Sequence, residues 1–145
     1  MMSGRDDLTT REAEAWAAFY RMIEAVPAER REEAILSDGW SVKDVLWHIA
    51  FWWSDLPAQL DRIRTDAPEL ESDGTDERNA SALAQGRART LAEVEGEVVR
   101  TREALLAAWA SAPEGPKADE VFVWETIEHY EEHEPQLRAF LDTQV

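Results

Sequence analysis

The stretch from Val121 to Phe140 limits the fold more than any other part of the chain. At about 100° per residue, Phe122, Thr126, His129, His133 and Phe140 fall in one narrow stripe of a helix, the stripe that should face a core. Two imidazoles therefore sit where a packing helix ordinarily carries Leu or Ile. His129 and His133 are four residues apart, so both rings can reach the same point, as two ligands of one metal ion must. Two ligands are not a site. The only other histidine is His48, in a second helical stretch running from Trp40 to Trp53. A lone core histidine is more often hydrogen-bonded to a carbonyl than bound to a metal. The chemical reading thus turns on whether two helices bring three rings together.

Composition narrows the partners. A chain of 145 residues reads as one domain, 1–145, long enough for a real core. No apolar run approaches the roughly 18 residues that span a bilayer, and the longest, Val45 to Trp53, is interrupted by His48. The N-terminus carries Asp6 and Asp7 where a signal peptide would be basic and then apolar, so a soluble cytoplasmic protein is expected. A net charge of −16 opposes nucleic acid and an anionic membrane face, since both need clustered Lys and Arg. With no cysteine there is neither a thiolate ligand nor a protein thiol nucleophile. Any thiol chemistry would use a thiol brought from outside.

Punctuation divides the chain into helical segments. Residues 9–26 read as a first helix, opened by a Thr9/Glu12 capping box, with Trp16, Tyr20 and Ile23 on one face and Pro27 as its stop. Residues 27–40 read as a linker closed by a turn at Gly39 and Trp40. Ser41 caps a second helix with Asp44 as reciprocal partner, and its apolar face runs from Val42 through Ile49 to Ile63, kinked or restarted at Pro57. The acidic segment Arg64 to Glu77 is long enough, at about 40 Å extended, to travel the length of a bundle and leave the second and third helices roughly parallel. A third helical region, from about Arg78 to Ala110, breaks near Gly86 to Thr90, where Thr90 and Glu93 form a fresh capping box. Asp119 is expected to cap the last helix, which should end near Leu141 and bend at Pro135. No strand signal appears. The expected architecture is all-α, a four-helix bundle with a long crossover between helices 2 and 3, in which small-molecule and metal sites form between facing helices.

With Gly39, Trp40, Ser41 and Asp44 ahead of Val45 and His48 in one helix, and His129 and His133 in the last, the chain resembles the DinB/YfiT-like superfamily. That superfamily includes the mycothiol-dependent maleylpyruvate isomerases. Order, spacing and length agree over essentially the whole chain, including Asn79 and Ala80 ahead of the third-helix segment. The resemblance implies a four-helix bundle holding one divalent metal on three imidazoles, carried over here to His48, His129 and His133. It also implies thiol-dependent S-transferases and isomerases that use mycothiol, bacillithiol or glutathione, and metal-dependent hydrolases. The chain departs from the isomerases in ending at Val145 without their C-terminal domain, which counts against isomerisation as the reaction.

Three imidazoles leave coordination positions open for water or substrate, the arrangement of catalytic rather than structural sites. Zinc, nickel, iron and manganese all suit such a ligand set in differing degree. The pair is not a metalloprotease motif, because Tyr130 follows the first histidine where that motif needs Glu. Glu125 and Glu132 stand one turn before His129 and His133, and Asp44 one turn before His48, so each is a candidate to orient a ring or carry a proton. A solvated face is the alternative for each. Trp16, Trp109 and Trp124 read as core, while Trp52 is a candidate pocket wall and Trp40 a candidate cover at its mouth. The expected function is a metal-dependent enzyme, an S-transferase or hydrolase, that activates water or a low-molecular-weight thiol such as mycothiol against a small electrophilic substrate. Its alternative is a non-catalytic bundle that binds a metal or small molecule, and a homodimer is expected in either case.

Overall fold

A computed structural model describes residues 4–66 and 74–144. Among the described residues there are seven α-helices and no strand: α1 (Gly4–Ala25), α2 (Val42–Trp53), α3 (Leu56–Arg64), α4 (Thr75–Arg87), α5 (Leu91–Ser111), α6 (Pro116–Glu125) and α7 (Ile127–Asp142). A single 3₁₀ turn, Ala28–Arg30, follows α1. The all-α expectation holds.

Helix α2 lies at the centre because the chain covers it on more than one side. It packs on α5 and on α4, while α1 packs on α7 and α3 on α5 and α6. All of Val42 to Trp47, with Ile49, Ala50 and Trp53, are buried, so the helix is covered nearly all round, the charged Lys43 and Asp44 included. Its start is the capping box expected of Ser41 and Asp44: Asp44 N–H donates to Ser41 Oγ at 3.0 Å and Ser41 N–H to Asp44 Oδ2 at 2.9 Å. Thr90 and Glu93 form the second expected box at the start of α5. The helix stops at Trp53 and restarts at Leu56, with Pro57 in the first turn of α3, where its missing donor leaves no bond unmade.

The second face of α2 is closed by α4, which runs antiparallel to it. Trp52 meets Asn79 near one end, Gly86 lies against Trp47, and Arg87 reaches Asp44 at the other end. A Cβ on Gly86 would fall 2.5 Å from Trp47 Cδ1, so only glycine lets the two backbones come this close. Helix α5 then returns alongside α2 and α3, with Ala108 and Ser111 sharing a surface cleft with Leu60 and Arg64. The parallel relation expected of the third helical region thus belongs to α5, and α4 supplies the return. Residues 67–73 of the expected crossover lie outside the described residues.

Three local expectations are corrected. Helix α1 begins at Gly4, ahead of Thr9, whose hydroxyl donates to the Arg5 carbonyl and accepts from Trp109 Nε1 instead of capping. Glu12 is not its capping partner but is fully buried and ion-paired to Arg102. Tertiary partners have outcompeted a local pattern. Helix α6 starts at Pro116 after Gly115, rather than at an Asp119 cap, because proline is pre-set for a first helical position. Trp124 is 66% exposed rather than core. It follows the fully buried Phe122 by two positions, about 200° round the helix, and so points away from the core. Trp109 is core as expected, stacked on Phe122 at 4.1 Å between ring centroids.

Candidate metal centre

The last helical stretch is two helices, not one, and the break positions the histidines. Thr126 leaves helical geometry at φ −116°, ψ −88°, and α7 restarts at Ile127. The carbonyl that a continuous helix would bond onward, that of Glu125, accepts Trp53 Nε1–H from α2 at 3.0 Å. Pro135, expected inside the last helix as a bend, lies within α7, which runs on past it to Asp142. On α7, Tyr130, Leu137 and Phe140 are buried against the core, which turns His129 and His133 inward toward α2.

His48 on α2 meets them there. Ring centroids are 5.1 Å apart for His48 and His129, 4.9 Å for His48 and His133, and 4.9 Å for His129 and His133. One ligand nitrogen from each ring lies within 4.8 Å of the other two. A tetrahedral ion about 2.1 Å from each nitrogen spaces its ligands about 3.4 Å apart, so closing the set needs ring movements of about 1 Å. His129 and His133 are buried and His48 is partly so.

The electrostatics favour a cation brought in from outside over protons. Burial, reinforced by His133, lowers the pKa of His48 to about 4. Burial, then His133 and His48, lowers that of His129 to about 3, and the Glu125 carbonyl, near the ring but outside hydrogen-bonding geometry, opposes this. Both rings are therefore neutral at pH 7, with lone pairs available. His129 Nδ1 and His133 Nε2 are buried with no hydrogen-bond partner. Buried polar atoms without partners are rare and costly; both of these belong to α7, in the cluster that His48 of α2 completes, and a metal ion held there would satisfy a nitrogen so left. The residues present fit such an ion.

Trp40 covers the cluster. Its ring meets His48 edge-on at 5.2 Å and lies nearly parallel to His133 at 6.4 Å. Three of the other sequence candidates are held elsewhere or face solvent. Trp52 donates from Nε1 to Asn79 Oδ1 at 2.8 Å and carries Arg78 on its ring, so its contacts are with α4. Asp44 is committed to the Ser41 cap and accepts from Arg87 at 3.4 Å. Glu132 is exposed. Glu125 is buried, and burial, then Asp55, pushes its carboxyl up to about 7 against the pull of Arg78. Sequence reasoning missed Gln136 and Asp38: His133 Nδ1 is 3.0 Å from Gln136 Oε1, and Gln136 Nε2 donates to Asp38 at 2.6 Å. The spacing of three from His133 to Gln136 carried a signal; Asp38, in the loop before α2, carried none.

Residues 12–129 match the family model of the mycothiol maleylpyruvate isomerase N-terminal domain. The chain belongs to that family, part of the DinB/YfiT-like group. The match takes in His48 and His129 and stops four residues before His133. No curated protein and no solved structure matches the chain. Among the described residues no helix is long and apolar enough to cross a membrane. Among the described residues, His48, His129 and His133 form a group that could hold a metal ion.

Proposed function

We propose that this family member is a metal-dependent enzyme that activates water, or a low-molecular-weight thiol of the mycothiol type, against a small electrophilic substrate. The observation that carries the reading is the convergence of three imidazoles, two of which, His129 and His133, keep a buried nitrogen with no partner in the protein. His48, His129 and His133 would hold a divalent ion, zinc, nickel, iron or manganese, with positions left for substrate. A divalent ion held there supplies Lewis acidity, which brings the pKa of water or a thiol toward neutrality.

The remaining work falls to the chain's own residues. Trp40 shields the cluster from bulk water and offers an aromatic face to a small apolar electrophile. Glu125, whose carboxyl exchanges its proton near neutral pH, is the proton carrier in this reading. No cysteine competes as nucleophile, so the attacking group comes from solution. Homodimerisation belongs to the same proposal and is tested by sedimentation.

The test begins with metal content of protein purified without a histidine tag. About one equivalent in wild type, and less than about a tenth in His48→Ala and His129→Ala, is expected if these rings hold the ion. Loss of monochlorobimane is then followed with several thiols, with and without metal. Rates that match the metal-only background would leave a binding protein in place of an enzyme.

A further inference from the structure

The tautomer of His133 can be deduced from its neighbours. A carboxylate at neutral pH only accepts hydrogen bonds, so the Gln136 atom 2.6 Å from Asp38 Oδ2 must be the amide nitrogen. The amide oxygen then faces His133 Nδ1 at 3.0 Å, and an oxygen acceptor there requires that Nδ1 carry the proton. His133 Nε2 is left with a bare lone pair, and it is that nitrogen which is buried with no partner. The chain from Asp38 through Gln136 thus presents to the cluster the one ring nitrogen a cation needs.

The same carboxylate holds the cover. Asp38 Oδ1 accepts the Trp40 N–H at 3.1 Å. Around it the chain makes a closed turn, with Gly39 N–H to the Leu36 carbonyl at 2.9 Å and Leu36 N–H to the Trp40 carbonyl at 3.0 Å. Gly39 supplies the left-handed φ of 81° that this turn requires and that a side chain would strain. The Trp40 ring is thereby set against both His48 and His133. One side chain fixes a ligand ring on α7 and the aromatic over it.

We propose that Gln136 and Asp38 are positioning residues that hold His133 as its Nδ1–H tautomer, with Nε2 directed to the ion, and tie the Trp40 turn to that ring. This rests on the reading of the three histidines as a metal site. Hydrogen-bonded partners of this kind set the orientation and basicity of ligating imidazoles, and their loss typically weakens metal affinity 10- to 100-fold.

The experiment uses the full chain, metal-free and with ¹⁵N-labelled histidine, at pH near 7.5. Long-range ¹⁵N–¹H correlation spectra should show His133 as the Nδ1–H form in wild type and as a mixture with the Nε2–H form in Gln136→Leu, with far-UV circular dichroism unchanged. Zinc competition should then show Gln136→Leu about 10- to 100-fold weaker. Gln136→Glu combined with Asp38→Asn should return close to wild type, because the new carboxylate accepts from Nδ1–H and the new amide donates to it. In Asp38→Ala the indole resonance of Trp40, assigned with Trp40→Phe, should move together with the His133 resonances.

An Nε2–H tautomer in wild type overturns the positioning role, as does zinc affinity in Gln136→Leu within about twofold of wild type. Movement of only one of the Trp40 and His133 resonances overturns the tie between ring and cover. Should wild type take up no zinc, the metal reading falls, and the tautomer result upholds or overturns the Gln136 and Asp38 assignment without it.

Discussion

Two buried polar clusters meet α7 at adjacent residues, and they are built on opposite rules. At Tyr130 the phenol donates to Glu12 Oε1 at 3.0 Å, and Arg102 grips both oxygens of the same carboxylate, with its closest approach 2.6 Å to Oε2. Burial and the Glu12 charge raise the pKa of the phenol well above its ordinary value, so it stays a donor. Every partner is supplied from within, linking α1, α5 and α7. At His129 the neighbouring rings bring nitrogens together and leave some without a partner. A saturated cluster holds the fold, whereas an unsaturated one at similar depth destabilises it until something binds. On the proposed reading, the difference marks which of the two is for function.

The largest test is to unbalance the saturated cluster. Glu12→Ala leaves the Arg102 guanidinium, only 23% exposed, and the Tyr130 hydroxyl without their acceptor. Losing one member of a buried pair should cost about 3 kcal/mol of stability, read from the denaturant midpoint. Replacing the unsaturated side should act the other way. His129→Leu in metal-free protein removes a buried unpaired nitrogen and should keep or slightly raise stability, and a loss as large as that of Glu12→Ala would mean that the rings pack like ordinary core. Divalent metal separates the two clusters further. An ion at about 100 times its Kd should stabilise wild type by about 2.7 kcal/mol in thermal unfolding, and His129→Leu by nothing.

Acid provides the next contrast, with opposing terms. The His48 and His129 pKa values are lowered in the fold to about 4 and about 3, so below the ordinary 6.5 the unfolded chain takes up two protons that the native rings refuse. Glu125, raised from 4.5 to about 7, works against them by holding a proton in the native state that the unfolded chain has released. Between about pH 5 and 6 the unfolded state binds a net excess near one proton. Metal-free protein should therefore lose about 1 kcal/mol per pH unit as the pH falls through that window. Glu125→Gln should steepen the loss toward two protons. A flat profile in both proteins would show the rings already charged in the fold.

Much of this molecule was legible where local chemistry and tertiary demand agree. The Ser41/Asp44 and Thr90/Glu93 boxes sit ahead of apolar runs, and their helices begin where the pattern says. Thr9 and Glu12 show the same spacing, but Trp109 and Arg102 engage those side chains from α5, and the helix starts earlier. Helical periodicity placed His129 and His133 on an inward stripe. Trp124 lies about 200° round from Phe122 on the same helix, so its exposure agrees with that periodicity and its reading as core rested on residue type alone. The break at Thr126 was hidden, because it depends on a carbonyl taken by Trp53 from a distant part of the chain. For the same reason Asp38 was invisible, since its partner Gln136 lies 98 positions away. Spacing reads contacts within an element and is blind to those between elements.

The smallest effect expected is also the most direct test of whether the two clusters are separate. Tyr130→Phe deletes one hydroxyl and leaves Glu12 bonded to Arg102, so the carboxylate is not stranded. The loss should be about 1 kcal/mol, the ordinary net value of one hydrogen bond. Because the phenol lies on the α1 and α5 side of α7 and the imidazoles on the α2 side, zinc affinity should stay within about twofold of wild type, a change under about 0.4 kcal/mol. A tenfold loss of affinity would show that the saturated cluster sets the rotation of α7 and, through it, the convergence of the rings. The distinction between a cluster that holds the fold and one that waits for an ion would then collapse into a single network.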